Sequence, residues 1–136
     1  MDGKGQPVNE PRTREELLST YLAEAASEQA SGANDDRFWA VEAMWDIVDR
    51  DPEDAWNILR ELIRRADSDR ALAYIAAGPL ENFLVAHGER YLPRVETEAG
   101  RNAKFRRALV GVWGENRMSE DLVRRLHALV EGEPPL

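Results

Sequence analysis

Residues 73–88 read AYIAAGPLENFLVAHG, and how this stretch is read decides the fold. Leu72, Ala73, Tyr74, Ile75, Ala76 and Ala77 leave almost no polar face, so the short helix they form, 70–77, is expected to be central and buried. Gly78-Pro79 is expected to end that helix and open another. Glycine tolerates the turn, and proline fits a first helical turn because its missing N–H has no partner there anyway. The second helix, 79–87, places Leu80, Phe83 and Leu84 on one side, and Gly88 is expected to close it with a left-handed cap. Read this way, two short helices turn sharply against each other, and neither carries a known chemical motif.

The flanks extend the same pattern. Upstream, Asp51-Pro52-Glu53-Asp54 predicts a helix start: Asp51 as cap, Pro52 in the first turn, and two acids facing the positive end. That helix is expected to run to Ala66 with Ala55, Trp56, Leu59, Leu62 and Ile63 on one stripe. The helix before it, from Asn34 or Asp35 to Arg50, has Phe38, Val41, Met44, Trp45 and Val48 at helical spacing. Almost no loop separates the two, so they are expected to pack antiparallel. Further upstream, Thr13-x-x-Glu16 is a capping box opening a helix to about Ala30, with Leu17, Leu18, Tyr21, Leu22 and Ala25 inward and a break at Ser31-Gly32-Ala33-Asn34. Downstream, Asp67 or Asp69 is expected to cap the 70–77 helix. A helix is expected from Pro93 to Gly100, another over 102–113 with Phe105, Leu109, Val112 and Trp113 inward, and a last one capped by Ser119 with Leu122, Leu126 and Leu129 inward. No strand-like alternation survives. The expectation is an all-α chain of about seven to eight helices, as a compact bundle or a short α-α stack of the HEAT or armadillo kind. Residues 1–12 read as a disordered leader, 13–131 as a single helical domain and 132–136 as a tail.

Length and composition fit one soluble domain: 136 residues, 43% hydrophobic and 32% charged, enough to bury a core without covalent staples. No cysteine is present, which excludes disulfides, thiolate metal sites and cysteine nucleophiles. Neither a signal-peptide pattern nor a membrane-length apolar run is seen, so the expected location is the cytoplasm. The net charge of −8 lies in the first 60 residues, where six Lys and Arg face fourteen Asp and Glu; residues 61–136 hold twelve of each. An acidic field argues against nucleic acid and anionic membrane as partners; it either suits a basic partner or simply serves solubility.

Three blocks, FWAVEAMW at 38–45, DPEDAW at 51–56 and DRALAYIAAGPLENFLVAHG at 69–88, together resemble an uncharacterised bacterial helical family catalogued as a domain of unknown function. FRRALVGVW at 105–113 fits the same pattern. The resemblance covers about residues 35–113, and Ala77-Gly78-Pro79-Leu80-Glu81 is its most specific part. It implies an all-helical bacterial protein and supplies no activity, cofactor or catalytic residue.

Few residues suggest chemistry. Glu81 reads as an acid at the start of a helix, stabilised by the dipole, or as a carboxylate for a partner or a metal. His87 falls on an apolar face, where a buried imidazole bonds a backbone carbonyl at a helix end or, with Glu81 or Glu42, acts as a base. His127 reads as edge packing. Two histidines forty residues apart, with neither HExxH nor an EF-hand spacing, predict no metal, and Gly111-x-x-Gly114 is no phosphate loop, so no cofactor is expected. Arg101, Lys104, Arg106 and Arg107 read as a solvated helix face. Trp39 projects away from its helix's core stripe, beside Glu42, Ala43 and Asp46; a tryptophan among acids has the character of a partner hot spot, and the alternative is that a neighbouring helix, the first or the fourth, covers that side. Trp45, Trp56 and Trp113 read as core. The expected partner-binding residues are therefore Trp39, Glu42, Asp46 and Glu81, in a non-catalytic domain that binds another protein, with an immunity or inhibitor role as one version. The alternatives are a small acid–base enzyme using His87 and a homodimeric scaffold.

Overall fold

The computed structural model describes residues 12–28 and 36–136. Residues 1–11 of the expected leader, the expected break at 31–34 and the expected start of the second helix at Asn34 or Asp35 lie outside them. Among the described residues there is no strand. The helices are α1 (Arg14–Ala26), α2 (Phe38–Arg50), α3 (Pro52–Arg65), α4 (Asp69–Ile75), α5 (Glu81–Arg101), α6 (Ala103–Leu109) and α7 (Glu120–Leu129). No helix among them is long and apolar enough to cross a membrane.

Several ends follow from their side chains. Thr13 and Glu16 form the reciprocal box: the Glu16 N–H donates to Thr13 Oγ1 at 3.0 Å, and the Thr13 N–H donates to Glu16 Oε1 at 2.8 Å. Asp51 accepts from the Asp54 N–H, with Pro52 at the first helical position of α3. Asn102 caps α6 and Ser119 caps α7. The cap of α4 is Ser68, whose hydroxyl accepts from the Ala71 N–H at 3.1 Å, rather than Asp67 or Asp69.

The decisive stretch departs from its sequence reading. Gly78-Pro79 makes no corner. Residues Ala76–Leu80 form a π-helical turn that carries α4 into α5 without a break. Proline lacks the N–H that an α-helix would use here, and the wider turn absorbs the defect, with the Glu81 N–H reaching back to the Ala76 carbonyl. Gly88 is no C-cap and Pro93 no helix start, since α5 runs through both to Arg101. At Gly88 the missing side chain leaves room for α7: a Cβ there would stand 2.9 Å from Leu122 Cδ2. Counting α4, the π turn and α5 as one rod, the described residues hold six helical rods, fewer than the seven or eight expected.

The core gathers between these rods. α1 packs on α4, α2 and α3, while α5 packs on α2, α3, α6 and α7. Trp56 of α3 is 3% exposed, with Phe83, Tyr91 and Phe105 around it at 5.8, 6.1 and 5.6 Å between ring centres. Glu24, 1% exposed, occupies an apolar position of the α1 stripe. It accepts from Arg37 Nε at 3.1 Å and from the Tyr74 hydroxyl at 2.9 Å. Burial first, then that bond to the carboxylate, pushes the Tyr74 hydroxyl up to about 12. The closing residues are held down as well: Arg106 pairs with Glu133 at 2.9 Å, Arg107 donates to the Pro135 carbonyl at 2.9 Å, and Leu136 packs against the core.

Candidate functional site

The buried side of α2 is made by Ala40, Val41, Met44 and Val48, with Ala43 and Ile47 half-covered. Helical periodicity then fixes the outward side. Around the cylinder the order is Trp45, Asp49, Glu42, Asp46 and Trp39: three acids framed by two indoles. Glu42, Asp46 and Asp49 are exposed. Arg50 pairs with Asp46, donating from Nε at 2.8 Å, and that bond holds the Asp46 carboxyl below the usual range. Trp45, expected in the core, is 51% exposed, so that expectation is corrected. It shares a flank of the helix with Phe38, which meets it edge-on at 5.8 Å and 85°, but that flank lies beyond the buried face. Trp39, opposite the core stripe of its own helix, is half-buried and packs against the core, with the Arg12 guanidinium 4.1 Å above its ring. The tryptophan most open to a partner on this face is therefore Trp45.

Glu81 does not join that face. Because α4 and α5 are continuous, it sits in mid-rod, and no free helix end is there to stabilise it. It braces the segment between α6 and α7 instead. One oxygen accepts from the Trp113 backbone N–H at 3.0 Å, and the other takes the Arg117 guanidinium. Gly111 presses the same segment onto the π turn, where an added Cβ would stand 2.9 Å from Ala76 Cβ. α6 ends at Leu109, so the helical period that would have carried Trp113 inward stops short; its indole is 71% exposed and the core expectation fails. Beside it, between α6 and α7, lies a cavity of about 220 Å³.

His87 is engaged in packing. Its Nε2 donates to the Val48 carbonyl at 2.7 Å, in the last turn of α2, and the ring lies 5.4 Å from Phe83. A cavity of about 390 Å³ opens beside it, lined also by Arg117, Ser119 and Leu122. Among the described residues no carboxylate bonds the imidazole, and neither Glu81 nor Glu42 is brought to it. The basic cluster is likewise taken up internally: Arg101 pairs with Glu98 at 2.9 Å, Lys104 donates to the Arg64 carbonyl at 2.9 Å, and Arg106 donates to the Ala99 carbonyl at 2.7 Å. No group of three or more candidate metal ligands occurs among the described residues.

Sequence reasoning missed Glu24 and the openness of Trp45 and Trp113. For Glu24 a signal existed, since it completes the 17–18–21–24–25 spacing of α1. The model of a family of unknown function, DUF6869, matches residues 27–133. No curated protein and no solved structure matches the chain.

Proposed function

Because the chain belongs to DUF6869, whose description carries no activity, its role has to be read from its own surface, and we propose that it is a non-catalytic module binding a basic protein through the outer face of α2. The observation that carries this reading is Trp45, half-exposed on a face whose centre is acidic. An indole supplies large contact area for little conformational entropy, and the acids beside it select a partner of opposite sign. The net charge of −8 steers the same way and opposes nucleic acid.

The test is capture from cells that express the protein, with wild type, Trp45→Ala and the double reversal Glu42→Lys/Asp49→Lys as baits. The expected result is one basic partner held by wild type, released by raised salt and lost from both variants. A partner retained equally by both variants contradicts the reading. Light scattering separates a second possibility: self-association that disappears with Trp45→Ala would assign the face to a homodimer.

A further inference from the structure

A cleft of about 310 Å³ lies between α3 and α5, lined by Trp56 and Arg60 from the first and by Pro93, Arg94, Glu98 and Arg101 from the second. Its charges do not balance. Glu98, 6% exposed, gives one oxygen to Arg101 at 2.9 Å and the other to the Asn102 amide at 3.0 Å. Glu53, from outside the lining, takes Arg94 through two bonds at 2.7 and 2.8 Å. Both acids are thus engaged before Arg60 is reached. Its Nε stands 3.4 Å from Glu98 Oε1, sealed from solvent, and makes no hydrogen bond among the described residues. The Arg60 side chain is nevertheless 36% exposed, so the outer edge of its guanidinium is left to the cleft. Three guanidiniums against two carboxylates leave one positive charge there. Charges farther off than about 8 Å are screened at physiological salt, so this local balance, rather than the net charge of the chain, sets what the cleft attracts.

We propose that this cleft binds the carboxylate of a small organic acid, seated end-on against the two terminal nitrogens of Arg60. The guanidinium fork meets two carboxylate oxygens in one plane, and a single negative charge closes the local count. A doubly charged oxyanion would overshoot that count beside Glu98 and Glu53. Arg60 is also steadied before any ligand arrives. Its guanidinium carbon lies 5.9 Å from the centre of the Trp56 ring, and that of Arg94 lies 5.7 Å from the same ring. The indole attracts both cations, so less side-chain ordering is left to oppose binding. The proposal is independent of the α2 face, which stands on another helix and attracts the opposite charge.

The experiment titrates sodium acetate into the ¹⁵N-labelled full chain by NMR, replacing sodium chloride step for step so that ionic strength stays constant. It follows the Arg60 Nε–H, which is shielded from water and so exchanges slowly, and the backbone N–H of Thr97 in the same lining. The expected result is saturable shifts of both signals, with affinity reduced about tenfold in Arg60→Gln, read at Thr97. Arg60→Lys keeps the charge and loses the fork; it should weaken binding by a smaller factor, in a chain whose spectrum stays folded. Phosphate should bind more weakly than acetate. A capped tripeptide with a central glutamate, which offers the same group from a peptide, should bind no better than acetate. Shifts that rise linearly without saturation, or affinity unchanged in either variant, would overturn the site. Phosphate bound as tightly as acetate would overturn the carboxylate class, and tighter binding of the tripeptide would overturn the small acid as its source.

Discussion

Trp56 and Trp113 carry the same side chain, and each follows an apolar stripe in the sequence, yet one is 3% exposed and the other 71%. Trp56 lies mid-way along a regular helix, where Phe83 and Tyr91 of α5 and Phe105 of α6 close over it. Trp113 lies four residues past the end of α6, on a segment that Glu81 holds by its backbone while the indole points away. Trp45 repeats the lesson on a regular helix: its spacing is right, but among the described residues no helix covers it and it is 51% exposed. Apolar periodicity marks a side that is able to be buried. Whether burial occurs depends on a neighbouring element being there to cover it.

The sharpest way to break this comparison is to truncate the buried member. Trp56→Ala should cost about 3–5 kcal/mol by chemical denaturation; a loss below ~1 kcal/mol would mean the α3 aromatic cluster is not the structural centre. Next is the brace beneath Trp113. Gly111→Ala should cost about 1–3 kcal/mol, because the new Cβ meets the Cβ of Ala76, which cannot rotate away, as well as the end of the Leu136 side chain. A neutral result in a thermal melt would mean the segment yields easily and Trp113 is not held. Ser68→Ala should cost about 1 kcal/mol, the usual worth of an N-cap, testing whether α4 begins at that serine.

Acid sharpens the comparison through the surface pairs that surround the Trp56 cluster. Bonds from Arg94 and then Tyr91 lower Glu53 from 4.5 to about 2, and bonds from Arg64 and Arg65 lower Glu61 likewise. Above pH 4.5 these carboxylates are ionised in both states and the pairs contribute fully. As the pH falls from 4.5 towards 2 the unfolded chain takes up protons that the folded chain refuses, so stability falls and the contribution is gone below about 2. The pairs are open to solvent, so the effect should be modest and smaller still in high salt. Melting temperatures between pH 5 and 2 should drop less for Glu53→Gln than for wild type; parallel curves would contradict the pairing. The smallest effect belongs to the exposed indoles: Trp45→Ala and Trp113→Ala should each leave stability within about 0.5 kcal/mol. A larger loss in denaturation would return either residue to the core.

The parts legible in the sequence are those governed by a few neighbouring residues. The Thr13–Glu16 box, the Asp51-Pro52 start, the Ser119 cap and the inward stripe of α3 could be read because each is a local bargain between side chains and helix geometry. Gly78-Pro79 misled because the same dipeptide that breaks an isolated helix is accommodated within a packed one by a π turn. Gly88 misled for a related reason, since its role is to admit Leu122 from a helix more than thirty residues away. The site suffered most. Helical spacing puts Glu42 on the outward side of α2 but assigns the exposed Trp45 to the core, and Glu81 acts on Trp113 across 32 residues of sequence, a separation at which no spacing rule operates.

Hydrogen exchange at the indole N–H groups, followed by NMR on the folded chain, tests the central contrast most directly, since the sequence holds four tryptophans and each gives its own signal. Trp45 and Trp113 should exchange first, the half-buried Trp39 later and Trp56 last, on the timescale of global unfolding. Protection of Trp45 or Trp113 equal to that of Trp56 would contradict the account, because those rings would then be covered in the isolated chain.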